Sequence, residues 1–361
     1  HSLRNAAGRQ CAKISAMSGE KRRARKLKER RDRIRLEKHE RRSQPQGFSA
    51  PEDEDDVAPS LGAARGPRFA AERGLHDLHK VIGDRVFESV EEVNKFIGSA
   101  MEGGRFKGLE DLPKEDWEIA RDLAYQAMEA YDPIEIERLA RLALSHDPEC
   151  VDALRMLALA GARSTPELIA MLRNAIQAGE RALGPEFFEE NRGHFWGALK
   201  SRPYMRARMD LAEALLKAGE TAEAAGHLEA LLELNEGDNQ GVRYTLLPLY
   251  LEAGNLEAAR KLLAAYPDDY SAVFHWCRPL ERQLAGDLAG AAKALAEARE
   301  FNPNVEAYLT GGKLPPREVP DQYSPRKPSE AACFAKALRS CWLVHREAVG
   351  WLRGQKKGLG I

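Results

Sequence analysis

What the chain lacks narrows it first. No run approaches the roughly 18 consecutive apolar residues that a membrane-crossing helix needs. The first 16 residues hold no apolar stretch of the kind that makes a secretory signal. Cysteine is scarce, at 11, 150, 277, 333 and 341, and no two form a C-x-x-C pair. An odd count without paired spacing argues against a disulfide framework or a zinc knuckle, and a reducing, cytoplasmic setting is the simplest expectation. There is no G-x-S-x-G elbow, and Gly103-Gly104 and Gly311-Gly312 lack the G-x-x-x-x-G-K-[ST] context of a phosphate loop. His275 and Cys277 are two apart and would point to different helix faces, while His76 and His79 are only two ligands. No metal, no cofactor and no catalytic residue are therefore expected. The formal net charge of −1 excludes a uniformly basic, nucleic-acid-coating protein.

What is there is unevenly distributed. Residues 20–42 hold thirteen Lys and Arg against five Asp and Glu, a net +8. Their apolar residues are too few for a packed face or a sustained heptad. An acidic block, Glu52 to Asp56, follows a stretch rich in polar residues, Pro and Gly. Such segments bury too little surface to offset the entropy of folding. Residues 1–73 are thus expected to be a disordered charged tail. The first sixteen carry Arg4, Arg9 and Lys13 but no acid, a composition open to a transit peptide. The preferred expectation is that Met17 is the natural start and that 1–16 are upstream sequence.

Residues 74–112 read as a short helical leader. Val86–Ser89 suggests a brief extended piece. Ser89 with Glu92 three residues on has the form of a capping box, and Gly103-Gly104 should stop the helix that follows. From Pro113 the pattern is helix after helix. Trp117, Ala120, Leu123, Ala124 and Ala127 form one apolar stripe, and Ile136, Leu139, Ala140 and Ala143 the next. A further pair is read at 149–162 and 165–182.

A repeat then becomes explicit. Ala218-Gly219-Glu220-Thr221 leads to Ala224-Ala225, Ala253-Gly254-Asn255-Leu256 to Ala258-Ala259, and Ala285-Gly286-Asp287-Leu288 to Ala291-Ala292. The glycines are 35 and 32 residues apart, bracketing the tetratricopeptide period of about 34 residues. Each Gly suits the left-handed end of a first helix, and each Ala pair suits close approach of the second. A helix pair cannot cover its own apolar face, so neighbours must stack. The fold class is therefore all-α, a tetratricopeptide-like helical-repeat solenoid over 113–310. Pro248 is expected to bend a helix at 239–253 near Tyr244. A proline-rich connector and helical cap fill 311–361. The cap's two short helices, near 329–341 and 345–353, would carry Trp342, Leu343, Trp351 and Leu352 on their apolar face.

The strings Gly179-Glu180-Arg181-Ala182-Leu183-Gly184, Phe187 to Asn191, Gly193-His194-Phe195-Trp196 and Arg202-Pro203-Tyr204-Met205-Arg206-Ala207 resemble an uncharacterised bacterial family of tetratricopeptide-like proteins. Asp238 to Tyr244 does too. With Leu246-Leu247-Pro248-Leu249, it is also similar to the suppressor-of-tumorigenicity-seven family. The resemblance covers about 75–353 and implies the fold. No agreed activity comes with it. Several bacterial relatives end in a Cys-rich SEC-C zinc motif. Arg353 to Ile361 holds no cysteine, so that metal site is not carried over.

Candidate site residues follow from the array. First helices of such pairs line the concave groove. Asp238 should cap a helix starting at Asn239, setting Asn239, Gln240 and Arg243 on its first turns, where Arg243 has the fork to take a carboxylate. Tyr204 and Arg208, four apart on the previous first helix, share a face. These five are the expected partner-binding residues, though capping and helix-to-helix locking is an equally physical use of them. The expected function is a non-enzymatic scaffold that holds an as yet unidentified protein or peptide, with no membrane contact. The alternative is an RNA- or ribosome-associated factor. In it Lys21, Arg22, Arg23, Arg25, Lys26, Lys28, Arg30 and Arg31 neutralise phosphates without reading sequence. A solubilising tail is the plainer use of the same charges.

Overall fold

The computed structural model describes residues 58–59, 67–83, 85, 87–102, 105–106, 109, 113–320 and 322–357. Among them lie fifteen α-helices, with only two-residue strand ladders. The expected disordered tail, including the basic segment 20–42, falls mostly outside the described residues. Its boundary at 73 is corrected. Helix α1 begins at Pro67 and runs to Ile82, and Ala58–Pro59 pairs antiparallel with Gln322–Tyr323. The leader helix α2, Val90–Ala100, starts where expected: Ser89 Oγ accepts from the Glu92 N–H at 3.1 Å. The Glu92 carboxylate reaches back to the N–H of Glu88, one residue before the cap.

The array pairs α3 (Asp116–Glu129) with α4 (Pro133–His146), α5 (Val151–Gly161) with α6 (Thr165–Asn191), and α7 (Arg202–Ala218) with α8 (Thr221–Leu234). Then α9 (Arg243–Glu252) pairs with α10 (Leu256–Ala265) and α11 (Ala272–Leu284) with α12 (Leu288–Phe301). First helix packs on first helix: α3 on α5, α5 on α7, and further along α9 on α11. Helix α6 is interrupted at Gly184, whose φ of 72° is left-handed, just before Pro185. A short helix α13, Glu306–Leu309, leads through an irregular connector to α14 (Pro328–Leu343) and α15 (Arg346–Lys357). Helix α14 packs against α9 and α11, capping the stack.

The repeat motif has a clear physical basis. Gly219, Gly254 and Gly286 have φ of 84°, 69° and 80°, each ending a first helix where a side chain would be strained. The next residue opens the second helix. Asn255 and Asp287 accept from the N–H groups of Ala258 and Gly290, while Glu220 makes no side-chain cap. Five residues beyond each glycine sits a fully buried alanine, Ala224, Ala259 or Ala291. The other alanine of each pair is not equivalent: Ala225 and Ala258 are half-buried and Ala292 is exposed. One small side chain per repeat therefore sets the approach of the two helices.

Two stripe assignments also change. Ala120, Ala124 and Ala127 are buried, but Trp117 is 53% exposed and lies against the Arg121 guanidinium, at 5.5 Å from its ring centre. In the cap, Trp342 and Leu352 are buried and Trp351 packs at the core's margin, while Leu343 is exposed. Trp342 Nε1 donates to the Trp276 carbonyl and Trp276 Nε1 to that of Asn302, each at 3.1 Å, so neither ring leaves its polar atom unmet.

Candidate functional site

The array presents two arginine-centred clusters. The first is built on α7, where Arg202 and Arg206 are four residues apart and share a helix face. Arg206 grips Asp152 of α5 with two parallel bonds, Nε to Oδ1 at 3.0 Å and Nη2 to Oδ2 at 2.5 Å. It also reaches Glu72 of α1 at 3.1 and 3.2 Å. Arg202 donates to the same Glu72 at 3.1 Å and to the Trp196 carbonyl at 2.9 Å, and lies over the Trp196 ring. Tyr125 of α3 donates its hydroxyl to Glu72 at 2.8 Å. The Glu72 side chain is 5% exposed and that of Arg206 10%. Side chains of α3 and α7 thus converge on one carboxylate, and Asp152 of α5 joins the cluster through Arg206. Burial pushes the Glu72 carboxyl up, but the Arg206 charge and the bonds from Arg206, Tyr125 and Arg202 outweigh it, holding the carboxyl below its ordinary value.

The second cluster sits in the connector between α8 and α9. This segment does not continue a helix. Asp238 has φ 45° and Gly241 φ 70°, so residues 239–242 form a turn and α9 starts at Arg243 instead of Asn239. Asp238 still caps, but at longer range: its carboxylate accepts from the N–H groups of Val242 at 2.8 Å and Arg243 at 3.0 Å. Arg243 pairs with Asp238 at 2.8 Å and Asp269 at 2.6 Å, donates to the Tyr244 hydroxyl at 2.5 Å, and lies against the Tyr244 and Tyr266 rings. Burial raises the Asp238 carboxyl despite these bonds from Arg243 and Val242. On the other side of the connector, the Glu236 N–H donates to the Gly193 carbonyl, and its own carbonyl accepts from Tyr266. The string that looked most like a ligand surface therefore ties one repeat to the next.

The five residues singled out from the sequence are not one cluster. Arg243 has its fork occupied by Asp238 and Asp269. Tyr204 is fully buried against Phe188, with ring centres 5.3 Å apart, and its hydroxyl accepts from Arg208. Arg208 also contacts the His227 ring nitrogen at 3.2 Å. Gln240 docks on α7, donating to the Met205 carbonyl at 3.2 Å, while its buried Oε1 has no partner. Asn239 is exposed. The basic residues at 21–31 lie outside the described residues. What the sequence reading missed is the Glu72 socket. The four-residue spacing of Arg202 and Arg206 was its one local signal, since Glu72 is 134 residues from Arg206.

A family model described as tetratricopeptide repeat matches residues 215–272. The array is tetratricopeptide-like. The matched stretch runs from the last turn of α7 to the first residue of α11 and includes Gly219 and Gly254, two of the three left-handed helix ends. No curated protein matches the chain. Among the described residues, no helix of this tetratricopeptide-like array is long and apolar enough to cross a membrane. No three His, Cys, Asp or Glu side chains of the described residues gather as a metal site.

Proposed function

We propose that the protein is a non-enzymatic scaffold that holds a protein or peptide on the face shared by its first helices. The observation that carries this reading is α1 itself. A helix already lies on that face, fastened through Glu72 to side chains of α3 and α7 and, through Arg206, to α5. A surface that holds one helix through side chains from successive repeats suits other extended partners, as stacked repeats do in general. Of the residues first singled out, Arg208, turned toward His227 of α8, and the exposed Asn239 of the connector are proposed as further partner contacts away from the α1 face, with Gln240 and Tyr204 supporting them. A cytoplasmic setting belongs to this reading, and Cys150, Cys277, Cys333 and Cys341 as free thiols fit it. The finer resemblance of 179–249 to bacterial tetratricopeptide-like proteins and the suppressor-of-tumorigenicity-seven family adds no activity to it. The test is capture of partners by the wild type and by Arg208→Ala with Asn239→Ala. A folded double variant that captures the same set with the same avidity removes Arg208 and Asn239 from the reading.

A second reading rests on the net +8 over residues 20–42. It makes the protein an RNA- or ribosome-associated factor through Lys21, Arg22, Arg23, Arg25, Lys26, Lys28, Arg30 and Arg31. RNA affinity should then fall steeply with added salt and vanish when the segment is deleted. Affinity indifferent to both would end this reading.

A further inference from the structure

We propose that α1 is an internal ligand of the array, and that the Arg202–Arg206 socket takes the carboxylate of a partner helix in its place. This rests on the scaffold reading above and names the chemistry of the partner.

Helix α1 is attached unlike any helix of the repeats. Among its described side chains Glu72 alone is buried; Phe69, Leu78, Val81 and Ile82 are half-buried and Leu75 is exposed. A repeat helix such as α7 instead buries an apolar series, Met205, Ala207, Leu211 and Leu215. Its other described fastenings are ion pairs, Arg73 with Glu129 at 3.2 Å and Lys80 with Glu118 at 2.6 Å, a bond from Lys80 to the Pro113 carbonyl, ring contacts to Tyr125, and Phe69 packed against the core cluster around Tyr125. Between α1 and α3 a cavity of about 320 Å³ remains, lined by Arg73, Asp77, Lys80, Glu118 and Arg121 among others. Apart from Glu72, and Phe69 and His76 at the Tyr125 ring, the described contacts of the helix are made by charged tips beside that cavity.

The socket also survives the loss of its occupant. Without Glu72, Arg206 keeps both bonds to Asp152, and Arg202 keeps the Trp196 carbonyl and ring. Two ordered guanidiniums facing one remaining carboxylate leave one positive charge, together with the Tyr125 hydroxyl donor. That set recognises an anionic carboxylate. The seated helix gives the rest of the pattern. Phe69, three residues before the glutamate, lies by the Tyr125 ring and the Arg206 guanidinium, and Lys80, eight after it, meets Glu118. The partner is therefore a helical segment with an aromatic residue one turn before a glutamate and a basic residue two turns after it.

The test uses the full chain and a labelled synthetic peptide copying residues 67–82. Glu72→Gln in the protein removes the internal charge while keeping the side chain's shape. The variant should bind the peptide roughly tenfold more tightly than the wild type, the size expected from one charge-assisted contact. A peptide carrying Glu72→Gln should lose that binding, and so should a protein carrying both Glu72→Gln and Arg202→Ala. Amide exchange over 67–82 should quicken in Glu72→Gln while 202–301 stays as in the wild type. Arg73→Ala, which deletes the ion pair of α1 with Glu129 and leaves the socket whole, is the second variant should the first not fold. It should move peptide binding the same way by less. Equal binding by wild type and variant, or no binding by either, overturns the proposal. If partner capture responds to Arg208→Ala while peptide binding ignores Glu72→Gln, the scaffold reading stands and the internal ligand does not.

Discussion

The two arginine clusters use the same parts for opposite ends. In each, one guanidinium lies between two buried carboxylates: Arg206 between Asp152 and Glu72, Arg243 between Asp238 and Asp269. Around Arg243 the partners are 5 and 26 residues away, in the connector and just before the next repeat. Around Arg206 one partner is 134 residues away, on a helix outside the repeats. The electrostatics differ as well. Glu72 is held below its ordinary value by what surrounds it, whereas burial drives Asp238 above its own. The comparison teaches that an ion cluster reads as lock or as latch from what else joins its two sides. Asp238 and Arg243 sit between two repeats, in a connector that holds two left-handed residues, and Asp238 also caps the first helix of the next repeat. Among the described side chains of α1, Glu72 is the one deeply buried.

Four measurements would break or sharpen this contrast. The largest effect belongs to Arg243→Ala, which strands two buried carboxylates. It should cost about 3–5 kcal/mol, the usual penalty for removing one side of a buried pair, read as a fall in denaturant midpoint. Glu72→Ala should cost the whole fold no more than about 1–2 kcal/mol, since Arg206 keeps Asp152 and α1 can leave. If the two losses were equal, the distinction between lock and latch would collapse. Replacing Gly254 by Ala, at φ 69°, should cost about 1 kcal/mol. That change should spread through the repeats and leave exchange at 67–82 untouched.

The subtlest effect is of pH. The folded Glu72 carboxyl is lowered, so its contribution is complete above the ordinary carboxylate range and is lost as acid drives the pH down through the folded value. His76, also on α1, is lowered to about 4, by burial first and then by the nearby Arg121 charge. Released α1 would take up a proton at His76 near the ordinary value of about 6.5, so this group too favours release as pH falls from there toward 4. Asp238 is shifted the other way, and protonating it in the folded state is favoured. Amide exchange corrected for its intrinsic pH dependence should therefore show 67–82 opening before 238–252 on acidification. The reverse order would contradict the assignment.

The array was legible because its rules are local. Gly219, Gly254 and Gly286 announce left-handed ends, and Asn255 and Asp287 announce the helix starts that follow. The start of α9 was misread for an equally local reason. Asp238 takes a left-handed conformation, uncommon outside glycine though open to aspartate, and the turn it begins, closed by Gly241, delays the helix to Arg243. Trp117 was assigned to the core by its spacing, but stacking on Arg121 keeps it at the surface. The Glu72 socket was invisible because nothing in the vicinity of Glu72 names a partner on α7. Periodicity describes which face a helix buries, and says nothing about which distant charge will meet it.

The short ladder between Ala58–Pro59 and Gln322–Tyr323 has a consequence for this latch. It moors the chain only eight residues before α1 begins at Pro67, a span of at most about 29 Å even when fully extended. A released α1 stays on that leash, at an effective concentration that short tethers place in the millimolar range. A rival helix must outcompete it at that concentration. The mooring at residue 58 thereby sets a threshold: scarce or weak partners would be ignored, and only abundant or tightly binding ones would gain the socket.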